Sequence, residues 1–181
     1  DDYDKDLINR YMNGEMAHKD SIHLPDSLKY YTLKNTRVVY GGGGIMPDYF
    51  VSIDTSYYSD YYRNLIRKGL INRFVLEYVD ASRKELQKKY PDFNRFKEDF
   101  DVNDGLMEKF YQFAADKGVQ KNDHDLILSA GQLQLLLKSY IARDLWSNNE
   151  FYRITNEQDP KFETALTILK NWDKFETMLL N

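Results

Sequence analysis

Apolar and polar positions follow two different periods along this chain, and the change falls near residue 57. Beyond it the period is helical. Tyr58, Tyr61, Tyr62, Leu65 and Ile66 share one face, and Gly69 is a natural stop. Ile71, Phe74, Val75, Tyr78, Val79, Ser82 and Leu86 mark a second helix. Its Arg83, Lys84, Lys88 and Lys89 turn to water, and Tyr90-Pro91 ends it. Phe93, Phe96 and Phe100 predict a short amphipathic helix opening near Asp92. Asn103-Asp104 caps a helix lined by Leu106, Met107, Phe110, Tyr111 and Ala114, with Gly118 placed as its C-terminal glycine. Asn122-Asp123 caps a longer helix, striped by Leu126, Ala130, Leu133, Leu137, Tyr140 and Ile141 and running on to Trp146. At about 1.5 Å per residue it spans about 35 Å. A last helix opens at Asp159-Pro160, with proline well placed in the first turn. Ala165, Ile168, Leu169, Trp172, Phe175 and Leu179 read as its buried stripe.

Before residue 57 the pattern is strand-like or irregular. Asp1 to Asp6 reads as a solvated acidic segment, and Asp20 to Ser27 is rich in turn formers. Leu28 to Leu33 and Arg37 to Tyr40 are β-prone runs. Four glycines follow, and then Tyr49 to Asp54 alternates, with Tyr49, Val51 and Ile53 on one face. A lone hairpin is marginal in water. These strands are therefore expected to complete a sheet supplied mostly by sequence outside this chain. The opening residue is Asp1, not Met, so upstream sequence is expected too. The predicted fold is mainly α, α+β overall. Residues 1–55 form an insertion and a returning strand, and residues 56–181 form a multi-helix domain.

Composition narrows the function classes. The chain has 181 residues, 42% hydrophobic and 30% charged, enough to bury a core and stay hydrated. Its 15 Tyr and 10 Phe against 2 Trp are first a statement about ring packing. A net charge of -4 gives no basic field for a phosphate backbone, so no nucleic-acid partner is expected. No apolar run approaches the roughly 20 residues of a membrane span. With no cysteine, disulfides and thiol catalysis are excluded.

The search for chemistry returns little. Glycine runs can cradle phosphate, but the established loops add Lys-Ser/Thr or open a helix. Here Ile45-Met46-Pro47-Asp48 follows the glycines and leads toward a strand. The simpler reading of Gly41, Gly42, Gly43 and Gly44 is a tight backbone passage, with Pro47-Asp48 fixing the turn. Asp2, Asp4 and Asp6 have the opening spacing of a calcium loop, but Leu7 and Asn13 occupy its glycine and final acidic positions. His18, His23 and His124 lack ligand spacing. No serine lies in a Gly-x-Ser-x-Gly elbow. Ser82 beside Arg83 and Ser139 beside Lys138 are helix neighbours that point apart. Arg143-Asp144 reads as a solvated face tied to a neighbouring helix. No catalytic, cofactor or metal residue is therefore expected.

The segment from Gly43 to Val51 resembles the Gly-x-Gly-Ile-x-Pro-Asp-x-x-Val stretch near the end of tail-specific, or carboxyl-terminal processing, serine peptidases. Arg37-Val38-Val39-Tyr40 before it extends the likeness. So do Tyr61-Tyr62-Arg63, Tyr90-Pro91-Asp92-Phe93 and Ile141-Ala142-Arg143-Asp144-Leu145-Trp146 after it. These look like the helical C-terminal extension of a bacterial cell-envelope branch. The resemblance implies a PDZ domain, an α/β peptidase core and a Ser nucleophile activated by a Lys base, located in the periplasm or envelope. A buried Lys of lowered pKa can deprotonate Ser without His. Nothing in residues 1–40 matches the segments that carry that pair, and the Tyr-x-Thr-Pro-x-Gly-Arg strand is absent. The implied role is a non-catalytic C-terminal fragment whose helices shape substrate access or support a homodimer. Its implied partners are the upstream core, the PDZ domain and protein or peptide substrates. A free-standing helical interaction module is the alternative, with exposed Tyr and Phe forming a groove.

Overall fold

The computed structural model describes residues 2–15, 18–22, 24–34, 36–41, 47 and 49–180. Helix accounts for 69% and strand for 4%, which makes the fold mainly α. The chain resolves into two compact units: residues 55–159, and residues 1–54 with 160–181. The helical stretch expected over 56–181 thus divides at Pro160.

The middle unit contains α2 (Asp60–Arg67), α3 (Leu70–Lys89), α4 (Phe93–Asp99), α5 (Asp104–Asp116), α6 (Asp123–Leu145) and α7 (Asn148–Thr155). Each start has a local cause. Ser59, Asp92, Asn103 and Asn122 accept the orphan N–H groups of Tyr62, Arg95, Leu106 and Asp125 through their side chains. α5 ends in a Schellman turn. Gly118 takes φ of 76°, its N–H reaches Ala115 O, and Val119 N–H reaches back to Ala114 O. Gly69, at φ of 64°, makes the turn from α2 into α3.

α6 runs along α2, α3 and α7, and α5 packs on α3. Leu133, Leu137, Ile141 and Ala142 of α6 are fully buried with Leu65, Val75, Val79, Phe96 and Phe110. Two ring clusters anchor the ends of this core. Phe74 and Phe110 meet edge to face at 5.2 Å. Tyr90, Phe96, Phe100 and Trp146 form the other, with Phe96–Phe100 stacked at 4.5 Å and Phe96–Trp146 at 5.3 Å. Edge-to-face and offset pairs of this kind exploit the ring quadrupole. Two expectations need correction. Ile66, placed on the inner face of its helix, is exposed. Helix α7 was not expected at all.

The other unit contains α1 (Asp2–Met12), strands β1 (Lys29–Tyr31) and β2 (Val38–Tyr40), α8 (Pro160–Lys170) and α9 (Trp172–Leu180). The acidic N-terminal segment is helical rather than a loop, so its backbone is not that of a calcium loop. The two β-prone runs pair with one another, antiparallel, with Tyr30 opposite Val39. Residues 49–54 lie in no strand, and the alternation appears only as half-buried Val51 and Ile53 beside exposed Ser52 and Asp54. The last helix is broken at Asn171 into α8 and α9. The expected buried stripe is not buried: α8 has no buried residue, and Leu169 and Trp172 are exposed. Phe175 is half-buried against Tyr49 at 6.0 Å.

Candidate functional site

Of the glycine motif, Gly41 and Pro47 are among the described residues; Gly42, Gly43, Gly44, Ile45 and Asp48 lie outside them. Gly41 has a clear local reason. Its N–H donates to Leu28 O at 2.8 Å, extending the hairpin ladder, and a Cβ there would sit 2.7 Å from Tyr30 Cε2. Glycine lets the Tyr30 ring lie over the backbone.

The serines and the half-buried Lys138 do not combine. Ser59 accepts from Tyr62 N–H at 3.1 Å and donates to Ser129 Oγ at 3.3 Å, and Ser129 donates to Asp125 O at 2.7 Å. Both hydroxyls are buried and fully used. Asp125 Oδ2 accepts from Tyr61 N–H at 2.8 Å, so a carboxylate in the first turn of α6 serves the N-terminus of α2. That backbone bond, chiefly, holds the Asp125 carboxyl below its ordinary range. His124 is exposed beside it, with Nδ1 3.5 Å from Asp125 Oδ1. A Ser, an Asp and a His thus lie close in sequence and space, but each oxygen is committed to a cap and none offers a nucleophile. His18 is exposed, and His23 lies outside the described residues.

Lys138 and Ser139 point to different elements, as their helix spacing requires. Ser139 is buried and donates to Leu135 O at 2.7 Å. Lys138 Nζ reaches Lys97 O at 2.8 Å, satisfying a carbonyl in the last turns of α4. Burial, above all, pulls the Lys138 ammonium below the ordinary lysine value. Likewise Ser82 donates to Tyr78 O, whereas Arg83 bonds Asp144. Among the described residues no group of three His, Asp or Glu could hold a metal, and no helix is long and apolar enough to cross a membrane.

The segments that carry the peptidase likeness turn out to be joints of the middle unit. Tyr61 and Tyr62 are buried at the α2–α6 contact, and Arg63 pairs with Asp60 on the surface. Tyr90 packs on Phe96 and Phe100 at 5.5 and 5.6 Å, Asp92 caps α4, and Phe93 meets Trp146 at 5.9 Å beneath Arg153. Ile141 and Ala142 are fully buried. Arg143 bonds Asn72 and lies 4.5 Å over the Tyr140 ring. Arg83 grips Asp144 twice, at the backbone O (3.1 Å) and at Oδ2 (2.8 Å). Both residues of the Arg143-Asp144 pair thus tie α6 to α3.

Among the described residues, two of the open grooves on this unit are well defined. The larger, about 390 Å³, has a floor of Leu86, Tyr90, Phe100 and Leu106 and a rim of Glu85, Lys89, Asp101 and Lys109. The smaller, about 330 Å³, lies where Lys68 satisfies the carbonyls of Lys117 and Gly118. Both rims mix signs; Ser82 also lines the larger groove, where its hydroxyl donates to Tyr78 O at 2.5 Å. Among the described residues one buried side-chain polar atom, the Tyr61 hydroxyl, has no hydrogen-bond partner. Burial chiefly, with Tyr111 and Glu108 nearby, pushes this phenol above its ordinary range. Burial also pushes Tyr62 up to about 12.

What these features define is a mainly helical protein whose middle unit is a packed framework. The model of a family of unknown function (DUF8443) matches residues 61–147, from the second position of α2 to the residue after Trp146. No curated protein and no solved structure matches the chain.

Proposed function

We propose that this chain is the non-catalytic C-terminal part of a carboxyl-terminal processing serine endopeptidase of the bacterial cell envelope. The observation that carries the reading is an ordered series: Arg37 to Tyr40, then Gly-Gly-Ile-Met-Pro-Asp at 43–48, then Tyr61-Tyr62-Arg63, Tyr90 to Phe93 and Ile141 to Trp146. The middle unit gives that order a physical sense, because the last three segments are its joints. Under this reading the Ser nucleophile and Lys base belong to an upstream core that also carries the PDZ domain, and the glycine segment is a late piece of that core. The helices then act on catalysis only from a distance, by shaping substrate access or supporting assembly.

The test compares two chains on a peptide with an unstructured C-terminal tail. The 181-residue chain should leave it intact, whereas a chain extended upstream through the core should shorten it. Cleavage by the 181-residue chain would refute the assignment. A second reading, a free-standing interaction module, is favoured by the closed core of residues 55–159. It predicts saturable binding of a partner helix or peptide by this chain without upstream sequence, and titration separates the two.

A further inference from the structure

The groove floored by Leu86, Tyr90, Phe100 and Leu106 is lined by charges that stay unanswered within the chain. Each wall holds one acid and one base: Glu85 and Lys89 on α3, Asp101 and Lys109 on the side of α5. Glu85 and Lys89 stand at i, i+4, in the order that favours an ion pair along a helix. That pair does not close. Lys89 Nζ lies instead over the Tyr90 ring, 5.1 Å from its centroid. Asp101 lies in the field of Lys138. Glu85 and Lys109 are both exposed, and neither has a hydrogen-bond or ion-pair partner among the described residues. Ser82 stands three residues before Glu85 on the same wall. Its hydroxyl donates to Tyr78 O, so its oxygen keeps lone pairs for a donor in the groove.

A ligand that complements this groove carries both signs and an apolar body. A lone anion would meet Glu85 and Asp101, and a lone cation would meet Lys89 and Lys109. An uncharged apolar body would cover the floor and leave all four charges unanswered. At about 390 Å³ the groove is at the small end of ligand sites, so the ligand is small too. We propose that it binds a short apolar peptide with both termini free. The peptide's ammonium sits on Glu85 and Ser82 Oγ, its carboxylate on Lys109, and its side chains on the floor. Two extended residues span about 7 Å, which suits the gap between packed helices whose axes lie about 8–10 Å apart. The inference needs no catalytic assignment; it holds equally for a peptidase fragment and for an interaction module.

The experiment titrates the intact 181-residue chain with leucylphenylalanine and follows the amide resonances of Gly105 and Leu106, which line the groove. The expected result is a saturable shift with a Kd in the millimolar range or tighter. Acetylating the amino group of the peptide should weaken binding by about tenfold, and amidating its carboxyl should do the same. Glu85→Gln should erase the preference for the free amino group and keep the preference for the free carboxyl. Lys109→Met should do the reverse. Both side chains are exposed, so neither variant disturbs the core. The absence of a saturable shift, equal binding of the doubly blocked peptide, or preferences unchanged in either variant would overturn the proposal.

Discussion

Between residues 55 and 159 most large apolar side chains on the helical period end up inside: Leu65, Val75, Phe96, Phe110, Leu137 and Ile141 are all fully buried, with Ile66 an exception. Between residues 160 and 172 a comparable period leaves Phe162, Leu166, Leu169 and Trp172 exposed. The caps differ as well. Apart from α3, which follows Gly69, the helices of the middle unit begin at Ser, Asp or Asn side chains that accept a backbone N–H, whereas α8 begins at Pro160. The same amphipathic code therefore yields a closed framework in one place and an open face in the other. Periodicity reports which side of a helix is apolar; only a partner decides whether that side is covered.

The largest expected effect comes from cutting into the closed unit. Phe110→Ala removes a fully buried ring that meets Phe74 at 5.2 Å and should destabilise the fold by about 3–5 kcal/mol in denaturant melts. Next comes a cap. Asn103→Ala leaves Leu106 N–H without its side-chain acceptor and should cost about 1 kcal/mol, with Asn103→Asp close to neutral.

Alkaline titration reads the same burial through the phenols. The unfolded Tyr62 ionises near 10.0, and burial pushes the folded one up to about 12. The folded state holds the proton longer, so the contribution of Tyr62 to stability is constant below pH 10.0 and falls as pH rises from there toward about 12. Phenolate absorbance should therefore show Tyr61 and Tyr62 ionising only as the helical signal is lost. The smallest effect belongs to the open unit. Leu33 is fully exposed, and Leu33→Ala should change stability by no more than about 0.5 kcal/mol.

Much of the middle unit was legible because its signals are local. Asn103, Asn122 and Asp92 announced their helices, and Gly118 announced the end of α5. α7 carries a readable signature, the Ser-x-x-Glu spacing of Ser147 and Glu150; in the fold Ser147 Oγ accepts from Asn149 N–H and donates to Glu150 Oε2 at 2.7 Å. Burial of Val102 and Val119 was not legible, since both lie in loops where no period exists. The stripe of α8 is legible as a pattern, but the period alone does not disclose that α8 has no buried residue. The candidate chemistry was legible mainly by exclusion. Ser82 and Ser139 point away from the cations beside them, and the Ser59–Ser129–Asp125 cluster depends on contacts across 64 to 70 residues that no spacing discloses.

Hydrogen exchange on the intact 181-residue chain tests the central contrast most directly. A closed framework should protect the amides of α3, α5 and α6 to a common, high level that reflects global unfolding. At low protein concentration, β1, β2 and α8 should exchange orders of magnitude faster through local opening. Equal protection of α8 and α6 under those conditions would contradict the account.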